Sequence, residues 1–223
     1  MLEKNVKNLL QTIPKTNKFG EKVTLVAAVK TQTAQDISRA VAAGITDIGD
    51  NHVQEFRDKY SQIEGNPTRH FIGTLQTNKI KYLLGKVNLY HSVDRLNLAE
   101  ELSKKSANAN VVSQILIEVN IGNEPTKSGF EYAQVESAYK KIAALPHICV
   151  KGLMAMLPES DNESLLRELA AKMRILYDRL NAQGANFEYL SMGMSGDWKL
   201  CIDEGSNMIR LGTAIFGKRN YKN

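Results

Sequence analysis

The stretch VTLVAAVK, residues 23–30, is a short apolar run rich in β-branched residues. Such a run predicts a buried strand, and the segment that follows it, Ala34 to Ala43, has the apolar spacing of a helix. The same alternation of a short apolar run and a longer helical segment recurs to the end of the chain. This repetition is typical of βα units arranged on a parallel sheet.

The repeated pattern predicts eight strands, which are Thr24 to Lys30, Thr46 to Gly49, Thr68 to Gly73, Leu89 to Val93, Val112 to Val119, Cys149 to Met154, Phe187 to Met192 and Asn207 to Gly212. Between them it predicts seven helices, Ala34 to Ala43, Val53 to Ile63, Thr77 to Leu84, Arg95 to Lys105, Tyr132 to Leu145, Glu163 to Gln183 and Gly196 to Glu204. An extra N-terminal helix, Leu2 to Ile13, ends before Pro14.

Eight parallel strands are the number that closes a β/α barrel. We therefore predict the α/β fold class, with one (β/α)8 TIM barrel domain over residues 1–223 that includes the helix at about 2–13. A doubly wound open sheet is the alternative, because periodicity does not distinguish an open sheet from a closed one.

The composition excludes several classes of protein. The 223 residues are 43% hydrophobic and 24% charged, as in ordinary globular proteins. No stretch approaches the roughly 18 apolar residues of a membrane span, and the N-terminus lacks the apolar segment of a signal peptide, so we expect a cytoplasmic protein without membrane contact. The two cysteines, Cys149 and Cys201, are interpreted as structural thiols.

The net charge of +5 favours anionic small ligands such as phosphate esters. We expect no nucleic-acid partner, because the lysines are scattered and no basic stripe is interleaved with aromatic residues. The C-terminal cations Lys218, Arg219 and Lys222 are interpreted as a solvated tail. No metal site is predicted, since His52, His91 and His147 share no spacing with carboxylates. His70 is either a neighbour of a ligand or a satisfied core histidine.

Lys30 is the first candidate for a functional residue; a solvated strand end is the alternative interpretation of its position. It ends the first predicted strand, where barrel enzymes place their reactive groups. Partial desolvation at the barrel mouth disfavours the ammonium form, so the amine becomes available to react with an aldehyde.

The loops after the seventh and eighth predicted strands carry the second signal. Ser195 lies in a Gly- and Ser-rich loop, and Gly212 and Thr213 form a small-residue turn. Barrels commonly bind phosphate with these two loops, because backbone N–H groups can approach the anion there. Ordinary Gly/Ser turns are the alternative interpretation.

Arg210 lies in an otherwise apolar run on the last strand, and a buried arginine requires an acceptor because it keeps its proton. A core carboxylate and a pyridine nitrogen are both possible acceptors. An aldehyde for Lys30, a phosphate for the loops and a ring nitrogen for Arg210 are together satisfied by pyridoxal 5'-phosphate.

Several motifs, in order, carry a family resemblance over most of the chain. They are Ala28-Val29-Lys30-Thr31, Gly49-Asp50-Asn51, the run from His70 to Lys79, Thr126-Lys127-Ser128-Gly129, Gly152-Leu153-Met154, Ser191-Met192-Gly193-Met194-Ser195, and the run from Arg210 to Gly217. With these motifs the chain resembles the pyridoxal phosphate homeostasis protein family, the YggS-type or proline synthetase co-transcribed homologues.

The resemblance implies a barrel like the N-terminal domain of alanine racemase, which is fold type III among pyridoxal phosphate proteins. It implies a Schiff base on Lys30 and places Asn51 near the cofactor. It implies that Arg210 faces the pyridine nitrogen and that the phosphate is bound by Ser195, Gly212 and Thr213. Val29 stands where the family usually has Ser, and Asp50 stands where it usually has Glu.

We expect a carrier or regulator of pyridoxal phosphate, without catalytic residues, rather than an enzyme. An arginine at the ring nitrogen leaves a weak electron sink, and the chain stops at Asn223, without the further domain that supplies a second acid/base group in alanine racemases. The candidate partners are the cofactor and apo-enzymes that need it, and we expect a monomer. A weak amino-acid racemase and a cofactor-free Schiff-base aldolase acting on sugar phosphates stay open as alternatives, and a nucleic-acid binder is a third.

Overall fold

The computed structural model describes residues 1–217, so the predicted solvated tail of Lys218, Arg219 and Lys222 lies outside the described residues. The strands are β1 Thr24–Ala28, β2 Asp47–Asp50, β3 Thr68–Phe71, β4 Leu89–Val93, β5 Ser113–Asn120, β6 Phe130–Glu131, β7 Ile148–Ala155, β8 Tyr189–Ser191 and β9 Met208–Leu211. The helices are α1 Leu2–Thr12, α2 Ala34–Ala42, α3 Val53–Lys59, α4 Leu96–Asn108, α5 Val135–Ala143, α6 Glu163–Ala182, α7 Trp198–Asp203 and α8 Thr213–Phe216.

The strands form a closed ring. Parallel pairing runs in the order β4, β3, β2, β1, β9, β8, β7 and β5, and β5 also pairs with β4. This last pairing closes eight strands into a barrel, which confirms the predicted (β/α)8 fold and excludes the open sheet. The remaining strand, β6, is a two-residue addition that pairs with the end of β5 and that the sequence did not predict.

Some predicted helices differ from the observed ones. The segment predicted as a helix from Thr77 to Leu84 is a 3-10 helix, Thr77–Tyr82, and the one predicted from Tyr132 begins with a 3-10 turn before α5. Both types of helix bury residues at similar spacing, so the pattern does not separate them. The last predicted helix starts later than Gly196, because residues 194–197 form a turn in which Asp197 accepts a hydrogen bond from the Met194 N–H at 2.6 Å.

The inside of the barrel has an apolar layer and a polar layer. The apolar layer consists of one residue from each of five strands, Val26, Leu89, Leu116, Met154 and Met208. Strand alternation and pairing place Arg210 beside Val26 on the inward face. The helices pack around the outside through two larger apolar clusters.

The N-terminal helix α1 buries Val6 in the outer apolar shell and packs against α2 and α8. The Asn5 side chain donates a hydrogen bond to the Ile215 carbonyl at 3.1 Å. This contact holds α8, and therefore the turn after β9, against the barrel.

Candidate functional site

The predicted site residues lie at the carboxyl ends of strands, on one rim of the barrel. Lys30 follows β1, Asn51 follows β2 and Gly212 follows β9. Because Ala28 pairs with Gly49 and Ala27 pairs with Leu211, these three strand ends are level with one another. Lys30, Gly212 and Thr213 line one small cleft, together with Ala28, Gln32, Phe216 and Gly217.

The turn after Lys30 has an unusual backbone. Thr31 has φ 64°, which is rare for a β-branched residue. Its N–H donates to the Glu55 carboxylate at 2.8 Å, and the same carboxylate pairs with Lys59 at 2.7 Å. Burial raises the pKa of Glu55, but the hydrogen bonds from Lys59 and Thr31 outweigh burial and hold this pKa below its ordinary value. A charged Glu55 on α3 therefore fixes the turn that follows Lys30.

Gly212 lies where β9 passes close to β1. A Cβ at this position would come within 3.3 Å of the Ala28 carbonyl oxygen, so a side chain would crowd the strand. The next residue, Thr213, begins α8 and is exposed. Its hydroxyl makes no hydrogen bond within the described part of the chain, so it is available to a ligand.

Ser195 lies apart from this cleft. It is exposed in the loop after β8 and lines other cavities, with Ser160, Asp161 and Asp197 among their walls. The structure therefore brings Lys30, Gly212 and Thr213 together and places Ser195 on a neighbouring loop.

Arg210 is buried inside the barrel, with 6% of its surface exposed. Its Nη1 donates to the Ser191 carbonyl oxygen and hydroxyl, and its Nη2 donates to the Ala155 carbonyl at 3.1 Å. A guanidinium has five N–H hydrogens. Within residues 1–217 the Nε–H and one Nη2–H of Arg210 are left without an acceptor, so they remain for a ligand.

The buried carboxyl group of Glu118 interacts electrostatically with Arg210 from β5. Burial lowers the pKa of Arg210, and the charge of Glu118 opposes this shift. Burial also raises the pKa of Glu118 to about 7. Glu118 is thus an acid that changes charge near neutral pH inside the barrel.

Asn51 has a buried side-chain oxygen that finds no hydrogen-bond donor among the described residues. Its backbone is covered by the loop after β3, since a Cβ on Gly73 would lie 1.9 Å from the Asn51 carbonyl oxygen. An orphaned buried acceptor at the barrel rim is a position at which a ligand donor is expected.

The two departures from the family pattern both face away from the barrel interior. Val29 is buried in the outer apolar cluster, as strand alternation predicts. Asp50 follows the inward-facing Gly49, so its carboxyl group points outward, where Lys59 and Arg69 are near. Burial raises the pKa of Asp50 to about 6. The shorter carboxylate therefore affects the layer between strand and helix rather than the cleft.

The sequence reasoning did not identify two sets of residues. One is Glu55, since nothing in its sequence context indicates the bond to Thr31. The other is a hydrogen-bond chain through both buried histidines, in which His70 binds His91 at 2.9 Å and Asp47 at 3.0 Å. His70 is thus a satisfied core histidine, and strand alternation, which predicts only that it points inward, is the signal that was available.

Within residues 1–217, no helix combines the length and apolar content needed to cross a bilayer. The same part of the chain contains no group of three or more His, Cys, Asp or Glu side chains placed to hold a metal ion.

Comparison with known sequences identifies the family of the chain. The model of the family described as "Alanine racemase, N-terminal domain" matches residues 1–220. The pyridoxal phosphate homeostasis protein of Aquifex aeolicus is 42% identical over 199 residues, which cover 88% of this chain and 87% of that protein. The protein of the same name from Escherichia coli strain K12 is 35% identical over 206 residues, which cover 90% of this chain and 88% of the relative.

Comparison with solved structures gives a consistent result. PipY of Synechococcus elongatus PCC7942, solved with pyridoxal phosphate bound, has a TM-score of 0.87 and 29% identity, over 97% of this chain and all of that one (100%). An alanine racemase of Clostridium difficile has a TM-score of 0.80 over 99% of this chain and 57% of its own, but at 13% identity it shows only that the fold is shared. A barrel of this topology and relatives matched along most of their length lead to one conclusion: the chain belongs to the pyridoxal phosphate homeostasis protein family, within the alanine racemase N-terminal domain family.

Proposed function

We propose that this protein binds pyridoxal 5'-phosphate covalently through Lys30 and acts in the homeostasis of this cofactor as a carrier or regulator rather than as an enzyme. The observation that carries the proposal is the cleft shared by Lys30, Gly212 and Thr213, above a buried Arg210 with unused N–H groups. The names of the relatives and the cofactor in the PipY structure support the same ligand.

The polar groups of the site fit this cofactor. The Lys30 amine matches an aldehyde, and the linkage forms with release of one water. The Thr213 hydroxyl and the close backbone at Gly212 suit a phosphate, with Ser195 on the neighbouring loop as a further donor. Arg210 offers its N–H hydrogens to a ring nitrogen, and the orphaned Asn51 oxygen suits a ring hydroxyl. When bound, pyridoxal phosphate supplies a reactive aldehyde and an electron-withdrawing ring.

A carrier fits the chemistry of the cleft better than a vigorous enzyme does. Lys30 is the only titratable side chain among the described residues that line the cleft. Arg210 keeps its proton, so it holds a ring nitrogen by donation and does not protonate it. A neutral pyridine ring stabilises a carbanion less well than a protonated ring does, and racemisation also needs a second acid/base group opposite the lysine.

The visible spectrum of the reconstituted protein tests the proposal. Wild type mixed with pyridoxal phosphate should gain a yellow absorbance band that Lys30→Ala lacks, and the surface variant Lys79→Ala should match wild type. A band that survives unchanged in Lys30→Ala contradicts the assignment of Lys30. If wild type stays colourless and borohydride traps a covalent adduct only when a sugar phosphate is added, the result indicates a cofactor-free aldolase instead.

Delivery of the cofactor is a separate part of the proposal. We infer a cytoplasmic monomer that passes pyridoxal phosphate to apo-enzymes. The exchange of cofactor is supported by the position of the Lys30 cleft, which lies at the rim of the barrel rather than in its closed interior. Loaded wild type should restore an apo-enzyme's activity in step with the loss of its own visible band. If activity returns only after free cofactor is added, the protein stores pyridoxal phosphate without delivering it.

A slow amino-acid racemase is the second candidate, and Glu118 is the observation that favours it. A buried acid with a pKa of about 7 next to Arg210 is suited to proton transfer. Loss of the α-hydrogen of L-alanine into deuterated water, abolished in Glu118→Gln, would establish this activity.

A further inference from the structure

A chain of hydrogen bonds crosses the inside of the barrel and ends on Arg210. Asp47 on β2 binds His70 on β3 at 3.0 Å, and His70 binds His91 on β4 at 2.9 Å. His91 contacts the Ser191 hydroxyl on β8 at 3.4 Å, and this hydroxyl accepts from Arg210 Nη1 at 2.5 Å. Because β4 and β8 are not neighbours in the ring, the contact of His91 with Ser191 spans the barrel interior.

The middle of the chain is shielded from water. His70 is 2% exposed, and His91 and Ser191 are fully buried. Asp47, by contrast, keeps 15% of its side-chain surface and lines a cavity at the opposite end of the barrel from Lys30. The chain therefore connects Arg210 with the far end of the fold through groups that water does not reach.

The donors and acceptors in the chain fix its direction. A neutral His70 that donates to Asp47 carries its proton on Nε2 and leaves Nδ1 as an acceptor for the Nε2–H of His91. The Nδ1 of His91 then accepts the Ser191 hydroxyl hydrogen. The lone pairs of this hydroxyl remain for Arg210, so every link donates toward Asp47.

The charges at the two ends agree with this direction. Burial raises the pKa of Asp47, but hydrogen bonds from His70 and Thr46 outweigh burial and keep it below its ordinary value, so Asp47 is an anion. Burial is the largest cause that lowers the pKa of His91 well below its ordinary value, so this ring is neutral. The Arg210 cation and the Asp47 anion thus lie at the two ends of the chain, where each bond polarises the next.

We propose that Asp47, His70 and His91 are positioning residues that act through Ser191 to hold the Arg210 guanidinium as a rigid donor for the ring nitrogen of the bound cofactor. The inference rests on the proposed function for the identity of that ring. It adds that the binding of the cofactor depends on side chains at the far end of the barrel that do not line the cleft.

The protonation of the two histidines can be measured without any cofactor. In long-range ¹H–¹⁵N spectra of the apo-protein, recorded above the ordinary pKa of histidine, both His70 and His91 should carry hydrogen on Nε2 and none on Nδ1. A hydrogen on Nδ1 of His91 means that the ring donates to Ser191, and the proposed direction is then wrong.

The effect on the cofactor is measured with three variants and a control. His70→Phe, His91→Phe and their double variant should each weaken pyridoxal phosphate binding about tenfold and shift the visible band by the same amount, because breaking any link breaks the chain. Tyr90→Phe is the matched control: Tyr90 is next to His91 and is also buried, but it lies in the outer apolar cluster. It should bind like wild type.

The outcomes test the positioning role of the hydrogen-bond chain separately from the proposed function. The positioning role is overturned if the losses of binding affinity add up in the double variant, or if the single variants bind like Tyr90→Phe. A wild type that binds no pyridoxal phosphate overturns the proposed function, while the histidine spectra still decide the direction of the chain. If a phenylalanine variant fails to fold by circular dichroism, Asp47→Asn at the edge of the chain replaces it, with the same weaker binding and shifted band expected.

Discussion

Lys30 follows β1 and Arg210 lies on the neighbouring strand β9, but the protein holds the two side chains in opposite ways. Lys30 is partly exposed at the rim, in a turn that Glu55 fixes from outside the barrel. Arg210 is buried and gives three of its N–H hydrogens to Ser191 and Ala155 inside the barrel. The reactive group is thus placed where a ligand can reach it, and the recognition group is built into the core.

The largest expected difference between these residues is in stability. Arg210→Leu leaves the acceptors on Ser191 and Ala155 without a donor inside the barrel, so it should lower the free energy of unfolding of the apo-protein by about 4 kcal/mol. Lys30→Ala, at the rim, should change this free energy by less than about 1 kcal/mol. Urea denaturation of both variants measures the contrast, and similar losses would show that Arg210 is not part of the core.

The second difference between the interior and the rim is a smaller one, in how the free energy of unfolding depends on pH. Burial raises the pKa of Glu118 to about 7, so the stability gained from its neutral form is present below its ordinary pKa and is lost as the pH rises through about 7. The side chain of Glu118→Gln stays neutral. The free energy of unfolding of this variant should therefore rise relative to that of wild type by about 2 kcal/mol between about pH 5 and pH 8. A difference that does not change with pH would mean that Glu118 is ionised throughout.

At the rim, the pH dependence of the unfolding free energy has the opposite sign, and the expected effect is the smallest of the three. Glu55 has a lowered pKa, so its stabilisation is present above the ordinary value and is lost as the pH falls through the folded-state pKa. Glu55→Ala should cost about 1 kcal/mol of unfolding free energy at neutral pH and progressively less in acid. Glu136→Ala removes a more exposed pair with Lys140 that holds no turn, and it should cost less than Glu55→Ala does. Equal costs for the two variants would remove the role of Glu55 in fixing Thr31.

The sequence predicted the parts of this protein that have a local pattern. The eight barrel strands and their helices follow from periodicity, and a lysine or arginine at a strand end is visible in the sequence itself. The apolar pattern does not show that the ring closes, because closure depends on the pairing of β4 with β5. Periodicity predicts a strand but not the strand with which it pairs. The two-residue β6 is too short to produce any pattern.

The contacts that organise the site lie beyond such patterns. His91 and Ser191 are 100 residues apart, and Thr31 and Glu55 belong to different elements. Alternation indicates that His91 points inward, but the partner it meets depends on the register and curvature of the closed barrel. Ser195 illustrates the converse: its loop was recognised, but its place on a neighbouring loop rather than in the cleft of Lys30 required the three-dimensional structure.

Peptide mapping after reduction decides whether the rim lysine is the anchor. Wild type is loaded with pyridoxal phosphate, reduced with borohydride, digested and analysed by mass spectrometry. We expect a phosphopyridoxyl group on the peptide that contains Lys30, at close to one group per chain. A label on another lysine, with the Lys30 peptide unmodified, would contradict it.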